Sequence, residues 1–301
     1  MGEVTTPKAA PLVKWAGGKA ALVPHIRERL PREWGTYFEP FIGGGAAFFA
    51  LAPPRAVLAD TNRDLIAMYE AVRDHPGGVM QALNDLQPQV LDEERYYAIR
   101  AQDPATLSAN EAAARFIYLN KTCYNGLYRV NRQGRFNVPF GRYSRPPRLY
   151  IPENLLAVSA VLRGADLLCD DYRTALAGAG DGDFVYLDPP YHPLSATANF
   201  TGYTSLGFGD DDQRSLADEI ARLTETGAYV LLSNSDTPLI RELYAEYRIA
   251  ELKVGRAINS RGDRRAGVTE LLVDNYSMIP KKSRSQSSRS LNATALPVDS
   301  K

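Results

Sequence analysis

Short apolar segments alternate with amphipathic helical segments in this sequence, and this alternation constrains the fold most, because it requires a mostly parallel sheet. Five such segments have the length and composition of strands: residues 37–39, 56–59, 165–169, 184–187 and 229–232. Two closing segments, 249–254 and 270–275, predict an antiparallel pair around a basic loop. The pattern predicts an α/β protein.

A long interruption separates the first two predicted strands from the rest. Residues 74–118 carry helical periodicity only, and residues 122–152 lose periodicity and fill with Gly, Pro, Asn and Arg. An irregular stretch of that length inside a compact chain is usually functional. Three units are therefore predicted: a discontinuous domain of residues 8–70 and 155–280, a helical insert of residues 71–154, and a flexible tail of residues 281–301. The tail is rich in serine and basic residues, and its few large apolar groups cannot order it.

Composition excludes several classes of protein. With 301 residues, 45% apolar and 23% charged, the chain is ordinary for a globular protein and unlike a disordered chain or a coiled coil. The charge-free run from Pro40 to Pro54 is too short for a membrane span, and no secretory signal opens the chain. Two cysteines, Cys123 and Cys169, are too few for a disulfide framework or a four-cysteine zinc site. These features favour a cytoplasmic protein.

Charge is distributed unevenly although the net charge is zero. Residues 115–150 carry eight basic and no acidic side chains: Arg115, Lys121, Arg129, Arg132, Arg135, Arg142, Arg145 and Arg148. Aromatic side chains are interleaved with them, among them Tyr118, Tyr124, Tyr128, Phe136, Phe140 and Tyr143. Such a block is typical of a surface for a polyanion with stackable bases, and the alternative is a solvated charged face.

A glycine-rich loop follows the first predicted strand, in the sequence Phe-Glu-Pro-Phe-Ile-Gly-Gly-Gly of residues 38–45. Glycines at a strand-to-helix turn allow close approach to a ligand. Asp60 ends the next strand 21 residues after Glu39, the spacing of a carboxylate that binds ribose hydroxyls. The loop lacks the dinucleotide-binding glycine pattern, so a plain tight turn remains the alternative.

The fourth predicted strand ends in an acid, two prolines and an aromatic residue, Asp188 to Tyr191. Ligands of open α/β folds sit at this edge of the sheet. The exocyclic amine of a base is a poor nucleophile because its lone pair is delocalised into the ring. Asp188 and the carbonyl of Pro189 could accept its two hydrogens and increase lone-pair availability, and Tyr191 could stack on a flipped base. A surface turn is the alternative.

Taken together, these motifs resemble the Dam-like DNA adenine-N6 methyltransferases, the D12 class, in which the cofactor loop precedes the recognition insert and the Asp-Pro-Pro-Tyr motif. The resemblance also includes Lys-Trp-Ala-Gly-Gly-Lys at residues 14–19 and covers roughly residues 11–278. It extends to further segments: residues 119–120, 124–127, 136–143, 193–201 and 233–234.

The resemblance implies a Rossmann-like S-adenosylmethionine-dependent methyltransferase sheet with a helical target-recognition insert. It implies transfer of a methyl group from S-adenosylmethionine to N6 of adenine in double-stranded DNA, at GATC, on a flipped base. A sulfonium donor is already activated, so no metal is expected. The protein would associate with the nucleoid.

The resemblance also assigns residues. The catalytic set is Asp188, Pro189, Pro190 and Tyr191. The cofactor set is Trp15, Lys19, Glu39, Gly43, Gly45, Asp60 and Asp188. The DNA set is Lys14, Tyr124, Asn125, Leu127, Arg129, Asn131, Asn137, Pro139, Arg142 and Tyr143. Within these sets, Lys19 would meet the carboxylate of the cofactor and Asp60 its ribose. Five residues match positions that touch or wedge between bases: Lys14, Tyr124, Leu127, Arg129 and Pro139. Three match phosphate contacts: Asn131, Asn137 and Arg142.

Two alternatives stay open at this stage. The same chemistry could act on cytosine N4, an RNA base or a glutamine amide, although Asp-Pro-Pro-Tyr and the basic loop favour a DNA base. A non-catalytic DNA-binding protein is the other alternative, and the intact Asp60 and Asp188 argue against it. The sequence leaves open the oligomeric state and whether a restriction endonuclease acts on the same site.

Overall fold

The computed structural model describes residues 8–194, 208–254 and 268–279. Three sequence predictions fall outside these ranges: the flexible tail, the basic loop between the closing strands, and most of the motif segment 193–201.

One seven-stranded sheet organises the described chain, in the order β3-β2-β1-β4-β5-β7-β6. The strands are β1 Tyr37–Glu39, β2 Ala56–Ala59, β3 Ala165–Leu168, β4 Phe184–Leu187, β5 Tyr229–Ser235, β6 Arg248–Val254 and β7 Val268–Asp274. The first five are parallel, and β7 runs antiparallel to both of its neighbours. The predicted α/β sheet and its closing antiparallel pair are confirmed.

Ten α-helices connect and cover the described strands: α1 Val23–Glu28, α2 Ala46–Leu51, α3 Arg63–Asp74, α4 Pro76–Leu86, α5 Glu93–Ala101, α6 Ala109–Thr122, α7 Pro152–Leu162, α8 Tyr172–Leu176, α9 Asp210–Thr226 and α10 Pro238–Leu243. A side-chain cap starts α3, because the Asn62 side chain accepts the backbone N–H of Leu65. Strand β5 extends three residues beyond its apolar core, through Ser233–Ser235, because these polar residues continue to pair with β7.

Two apolar cores lie on the two faces of the sheet. One contains Tyr37 and Phe48 together with Ile117 of α6 and Val138 of the following loop. Helix α6, which a Ser108–Glu111 capping box starts, packs on α3 and α4. Helices α9 and α10 cover the other face. The insert therefore shares its core with the first half of the sheet, and the predicted domain boundaries stay a prediction.

The strand order reverses between β1 and β4, since β1 pairs with β2 on one side and β4 on the other. Crevices for ligands open at such a switch point, at the carboxyl ends of the strands. Glu39, Asp60 and Asp188 all lie at this edge, at or just after the ends of β1, β2 and β4. No helix within the described ranges is both long and apolar enough to cross a bilayer.

Candidate active site and DNA interface

The glycine loop is fastened to Asp60. Asp60 Oδ2 accepts the N–H of Gly43 at 3.1 Å, and its Oδ1 accepts the N–H of Asn62 at 2.9 Å. The hydroxyl of Tyr69 donates to the carbonyl of Gly43 at 2.9 Å. Burial raises the pKa of Asp60, and the two backbone hydrogen bonds oppose this rise. The carboxylate is therefore fixed in place, with one backbone donor on each oxygen.

Gly43 and Gly45 both have left-handed backbone angles, with φ of +46° and +68°. A Cβ on Gly43 would lie 2.5 Å from Cδ1 of Trp15, and one on Gly45 would lie 2.7 Å from Cε2 of Phe49. Protein side chains occupy the space beside both glycines. The missing Cβ of each glycine therefore permits this close packing as well as the left-handed turn. Their contact with a cofactor stays a prediction.

Trp15 lies between the glycine loop and the insert. Its ring is stacked on Tyr128 with centroids 5.5 Å apart, and on Phe116 at 6.4 Å. The Tyr128 hydroxyl donates to Asp64 Oδ2 at 3.3 Å, at the start of α3. The half-buried indole thus links the N-terminal segment to the insert.

Glu39 lies beneath the loop and is almost fully buried. Its Oε2 accepts the Tyr37 hydroxyl at 2.7 Å and the N–H of Phe48 at 3.1 Å. Burial raises the pKa of Glu39 to about 8. The side chain supports the start of α2, and its predicted contact with a cofactor stays a prediction.

Asp188 is the carboxylate directly after β4. Its Oδ1 lies 2.9 Å from Nζ of Lys19 and accepts the hydroxyl of Ser233 at 2.8 Å. Burial raises the pKa of Asp188, while the charge of Lys19 and the two hydrogen bonds lower it. Among the described residues, none donates a hydrogen bond to Oδ2. One oxygen is therefore anchored, and the other has acceptor capacity for a ligand.

Tyr191 is held from two sides. Its hydroxyl donates to Oε2 of Glu270 on β7 at 3.0 Å, and Nζ of Lys19 lies 4.4 Å from the ring centroid. Lys19 therefore contacts both Asp188 and Tyr191, and the carbonyl of Gly17 also accepts a hydrogen bond from its ammonium. Sequence reasoning missed Glu270, which lies in a strand 79 residues further along the chain.

Pro190 is anchored by a buried amide. Nε2 of Gln213 on α9 donates to the carbonyl of Pro190 at 3.0 Å, and Oε1 of Gln213 accepts from Asn234 at 3.0 Å. Asn234 in turn accepts the N–H of His192 at 3.1 Å. The carbonyl of Pro189 accepts no hydrogen bond from the described residues. Gln213 was also missed; its only sequence signal is a polar residue on the apolar face of α9.

Seven of the ten predicted DNA residues lie on one irregular hairpin, residues 123–141, called here the recognition hairpin. Isolated bridges pair Cys123 with Phe140 and Val130 with Phe136. Five of the predicted DNA residues are exposed on it: Tyr124, Asn125, Arg129, Asn131 and Pro139. Arg142 is exposed just beyond it, Leu127, Asn137 and Tyr143 are half-buried, and Lys14 is exposed on the N-terminal segment.

Four of these residues also stabilise the hairpin. Arg129 Nε donates to Oδ1 of Asn137 at 2.7 Å, which ties one side to the other. Oδ1 of Asn131 accepts two backbone N–H groups of the turn, at 2.9 and 3.0 Å. The hydroxyl of Tyr143 donates to the carbonyl of Cys123 at 2.8 Å. Their contacts with DNA stay a prediction.

Part of the basic aromatic block is structural, which corrects the sequence interpretation. Arg115 is 6% exposed and donates to the carbonyls of Ile99 and Arg100, at 2.9 and 2.7 Å, where α5 ends. Tyr118 is 2% exposed, and three more aromatic residues pack against the core: Tyr128, Phe136 and Phe140. These residues are buried or half-buried because the insert packs them into the core that it shares with the first half of the sheet. Tyr124 is the aromatic residue of the block that the structure leaves exposed.

The comparisons with known proteins point to one family. Residues 15–258 match the family model of the D12 class N6 adenine-specific DNA methyltransferases. The type II methyltransferase M1.LlaDCHI of Lactococcus lactis subsp. cremoris is 41% identical over 272 residues, which cover 88% of this chain and 95% of the relative. The type II methyltransferase M.MjaIII of Methanocaldococcus jannaschii is 40% identical over 288 residues, 88% of this chain and 99% of the relative. The DNA adenine methylase of Escherichia coli strain K12 is 41% identical over 263 residues, which cover 87% of this chain and 93% of the relative.

Proposed function

The chain belongs to the D12 class of N6 adenine-specific DNA methyltransferases, and from this membership we propose that it methylates adenine N6 at GATC sites of double-stranded DNA with S-adenosylmethionine as donor. The position of Asp188 carries the proposal. It lies after β4 at the switch point of the sheet, with Oδ1 anchored by Lys19 and Ser233. Its Oδ2 can accept a hydrogen bond from the reacting amine.

Asp188 and the carbonyl of Pro189 act on the amine together. By accepting its two hydrogens they draw the nitrogen toward tetrahedral geometry, so its lone pair becomes available for attack. Gln213 fixes the neighbouring Pro190 carbonyl, which keeps the two acceptors in a constant relation. A base held by this pair has left the duplex stack, and Tyr191 offers its ring as a stacking surface.

The residues at this edge fit S-adenosylmethionine, which supplies a methyl group already activated by its sulfonium. Asp60 would bind the ribose hydroxyls, since each of its oxygens accepts one backbone N–H and keeps further acceptor capacity. Lys19 would bind the carboxylate of the donor. Trp15, packed against Gly43, would form an aromatic wall.

The recognition hairpin supports the choice of DNA and of GATC. The base-reading candidates of the hairpin and of the N-terminal segment are exposed or half-buried, and they match the Dam-like pattern: Lys14, Tyr124, Leu127, Arg129 and Pro139. Exposed arginines beside them supply the charge that a phosphate backbone requires: Arg132, Arg135, Arg142, Arg145 and Arg148. Because its proposed substrate is double-stranded DNA, the protein would associate with the nucleoid. Its product would protect DNA from a restriction endonuclease that cuts the same site, which is the partner class we propose.

Methyl transfer onto defined duplexes tests the proposed DNA site and the acceptor atom. With labelled S-adenosylmethionine, a GATC duplex should accept methyl groups at N6, and duplexes with one base changed should accept far fewer. DNA from cells that express the protein should resist an endonuclease that cleaves unmethylated GATC. Equal transfer onto a duplex without GATC would reject the site preference, and label on cytosine would reject the acceptor.

Two substitutions test the residue roles. Asp188→Ala should abolish methyl transfer and keep specific DNA binding, because its hydrogen bond to the amine strengthens in the transition state. Retention of more than a tenth of wild-type turnover would reject this role. Asp60→Ala should weaken the binding of S-adenosylmethionine by about 1.5–3 kcal/mol, the range for a hydrogen bond to a charged group. Unchanged affinity in a calorimetric titration would reject the ribose assignment.

A further inference from the structure

Asn120 is a buried amide on α6, 1% exposed, that joins two segments distant in sequence. Its Oδ1 accepts the N–H of Lys14 at 2.8 Å. Its Nδ2 donates to the carbonyl of Lys14 at 2.8 Å and to the carbonyl of Gly126 at 3.1 Å. Both amide hydrogens and the amide oxygen are therefore in use, and the bonds fix Lys14 relative to the start of the recognition hairpin.

The turn that Asn120 holds is shaped to meet Lys14. Asn125 and Gly126 take left-handed angles in succession, with φ of +56° and +65°. A Cβ on Gly126 would lie 2.5 Å from Cδ of Lys14, so the turn and the lysine side chain are in direct packing contact. Tyr124, at the same turn, and Lys14 are both candidates for base contacts. Asn120 thus sets the relative position of two reading groups from different parts of the chain.

The other end of the fixed segment reaches the donor site. Trp15 follows Lys14 directly and packs against Gly43 of the glycine loop, which Asp60 fastens. The Trp15 ring also stacks on Tyr128 of the hairpin. A shift of the turn would therefore be transmitted through Lys14 and Trp15 to the glycine loop.

We propose that Asn120 is a positioning residue that holds Lys14 against the turn, and so couples the reading of DNA to the binding of the methyl donor. The inference rests on the proposed function and names a regulation of the same site. Coupling of this kind is reciprocal and changes affinity by about 5–150-fold between two linked sites.

Asn154, which is half-buried, offers a control. Its side chain makes the same reciprocal pair with the backbone of Ala10, at 2.8 and 3.0 Å, on the same N-terminal segment. Ala10 precedes Lys14 by four residues, and neither of these two hydrogen bonds involves the hairpin. Asn120→Leu and Asn154→Leu are close to isosteric and neutral, and each removes one such anchor. Asn120→Asp, which keeps the acceptor and loses both donors, is a second variant should Asn120→Leu fail to fold.

The experiment measures the affinity for S-adenosylhomocysteine, an unreactive probe, with and without a GATC duplex. In the wild type the duplex should tighten binding by about 5-fold or more. The Asn120 variants should reduce this ratio to below about 2-fold and lower the kcat/KM preference for GATC over one-base variants by about 5-fold or more. Asn154→Leu should keep both.

Each possible failure has a distinct meaning. A wild-type protein that does not methylate GATC rejects the proposed function itself. An active wild type without coupling, or Asn120 variants with wild-type coupling and preference, overturns this inference alone. Equal losses in Asn154→Leu also overturn it, because the effect would then follow from loosening the N-terminal segment.

Discussion

Replacement of Lys19 by Met should move the acid limb of the kcat–pH profile to higher pH. Lys19 Nζ lies 2.9 Å from Asp188, and the two side chains are 8% and 18% exposed, so solvent screens the pair weakly. Burial already raises the pKa of Asp188, and the lysine charge opposes that rise. Without the charge, the pKa rises further. Since the ionised carboxylate is the better hydrogen-bond acceptor, turnover should be lost at pH values where the wild type is active.

The size of the shift follows from the pair geometry. An opposite charge in contact lowers a carboxyl pKa by about 1–3 units, and each unit corresponds to about 1.4 kcal/mol. We therefore expect the acid limb of Lys19→Met to lie about 1–3 pH units above that of the wild type. Lys19→Arg keeps the charge and should shift less. Ser233→Ala removes one hydrogen bond to the same oxygen and should shift the limb in the same direction by a smaller amount.

The assay is single-turnover methylation of a GATC duplex from pH 5 to 9, at saturating S-adenosylmethionine. Saturation matters because Lys19 is also proposed to bind the donor carboxylate, and lost affinity would otherwise mimic lost catalysis. A Lys19→Met profile that is lower at every pH but keeps the wild-type limb would refute the argument. Lys19 would then act in donor binding without setting the ionisation of Asp188.

Three further outcomes are expected. The pKa of Glu39, raised to about 8 by burial, lies above its unfolded value, so the folded protein binds more protons and loses stability as pH rises from about 5 to 8. Glu39→Gln should remove this pH dependence from free energies of unfolding measured in urea, whose slope against pH is at most about 1.4 kcal/mol per pH unit. An unchanged slope would contradict the prediction. Arg129→Ala should relax discrimination between GATC and one-base variants, whereas Arg142→Ala should weaken all DNA alike and lower the salt slope of log affinity by about one. If both variants lost affinity for all DNA equally and had identical salt slopes, the hairpin would bind DNA through charge alone and would not read the sequence. Gly43→Ala forces a Cβ against an indole at positive φ and should cost about 1–3 kcal/mol of stability, while Gly178→Ala, with open space around it, should cost less; calorimetric unfolding compares them.

The sequence was sufficient where the signal is local. Asp60 and Asp188 each follow a short apolar run that is typical of a buried strand, so the shared sheet edge follows from parallel pairing. Gln213 and Glu270 contact the same motif from α9 and β7. Their roles depend on which helix and which strand reach the segment after β4, and this tertiary arrangement has no local sequence pattern.

The insert shows the opposite error. A count of basic residues along the sequence predicts a charged surface, but tertiary packing buries one of those residues. Arg115 belongs to the basic block by sequence, but it sits among buried residues of α6 and binds the terminal carbonyls of α5. A basic residue within a run of small and apolar neighbours was the available signal, since such a helix position faces a partner helix.

The shared core has a consequence for how this enzyme class can change its target. Ile117 and Val138 of the insert are buried in the same core as Tyr37 of the sheet, so the insert is not an interchangeable cassette. In a chimera that received the insert of a relative, the new side chains would have to pack against the remaining residues of this core. Substitutions at exposed hairpin positions such as Arg129 and Pro139 do not have to fit this core. New specificities in this lineage are therefore expected to arise by point substitution along the hairpin rather than by recombination of whole inserts.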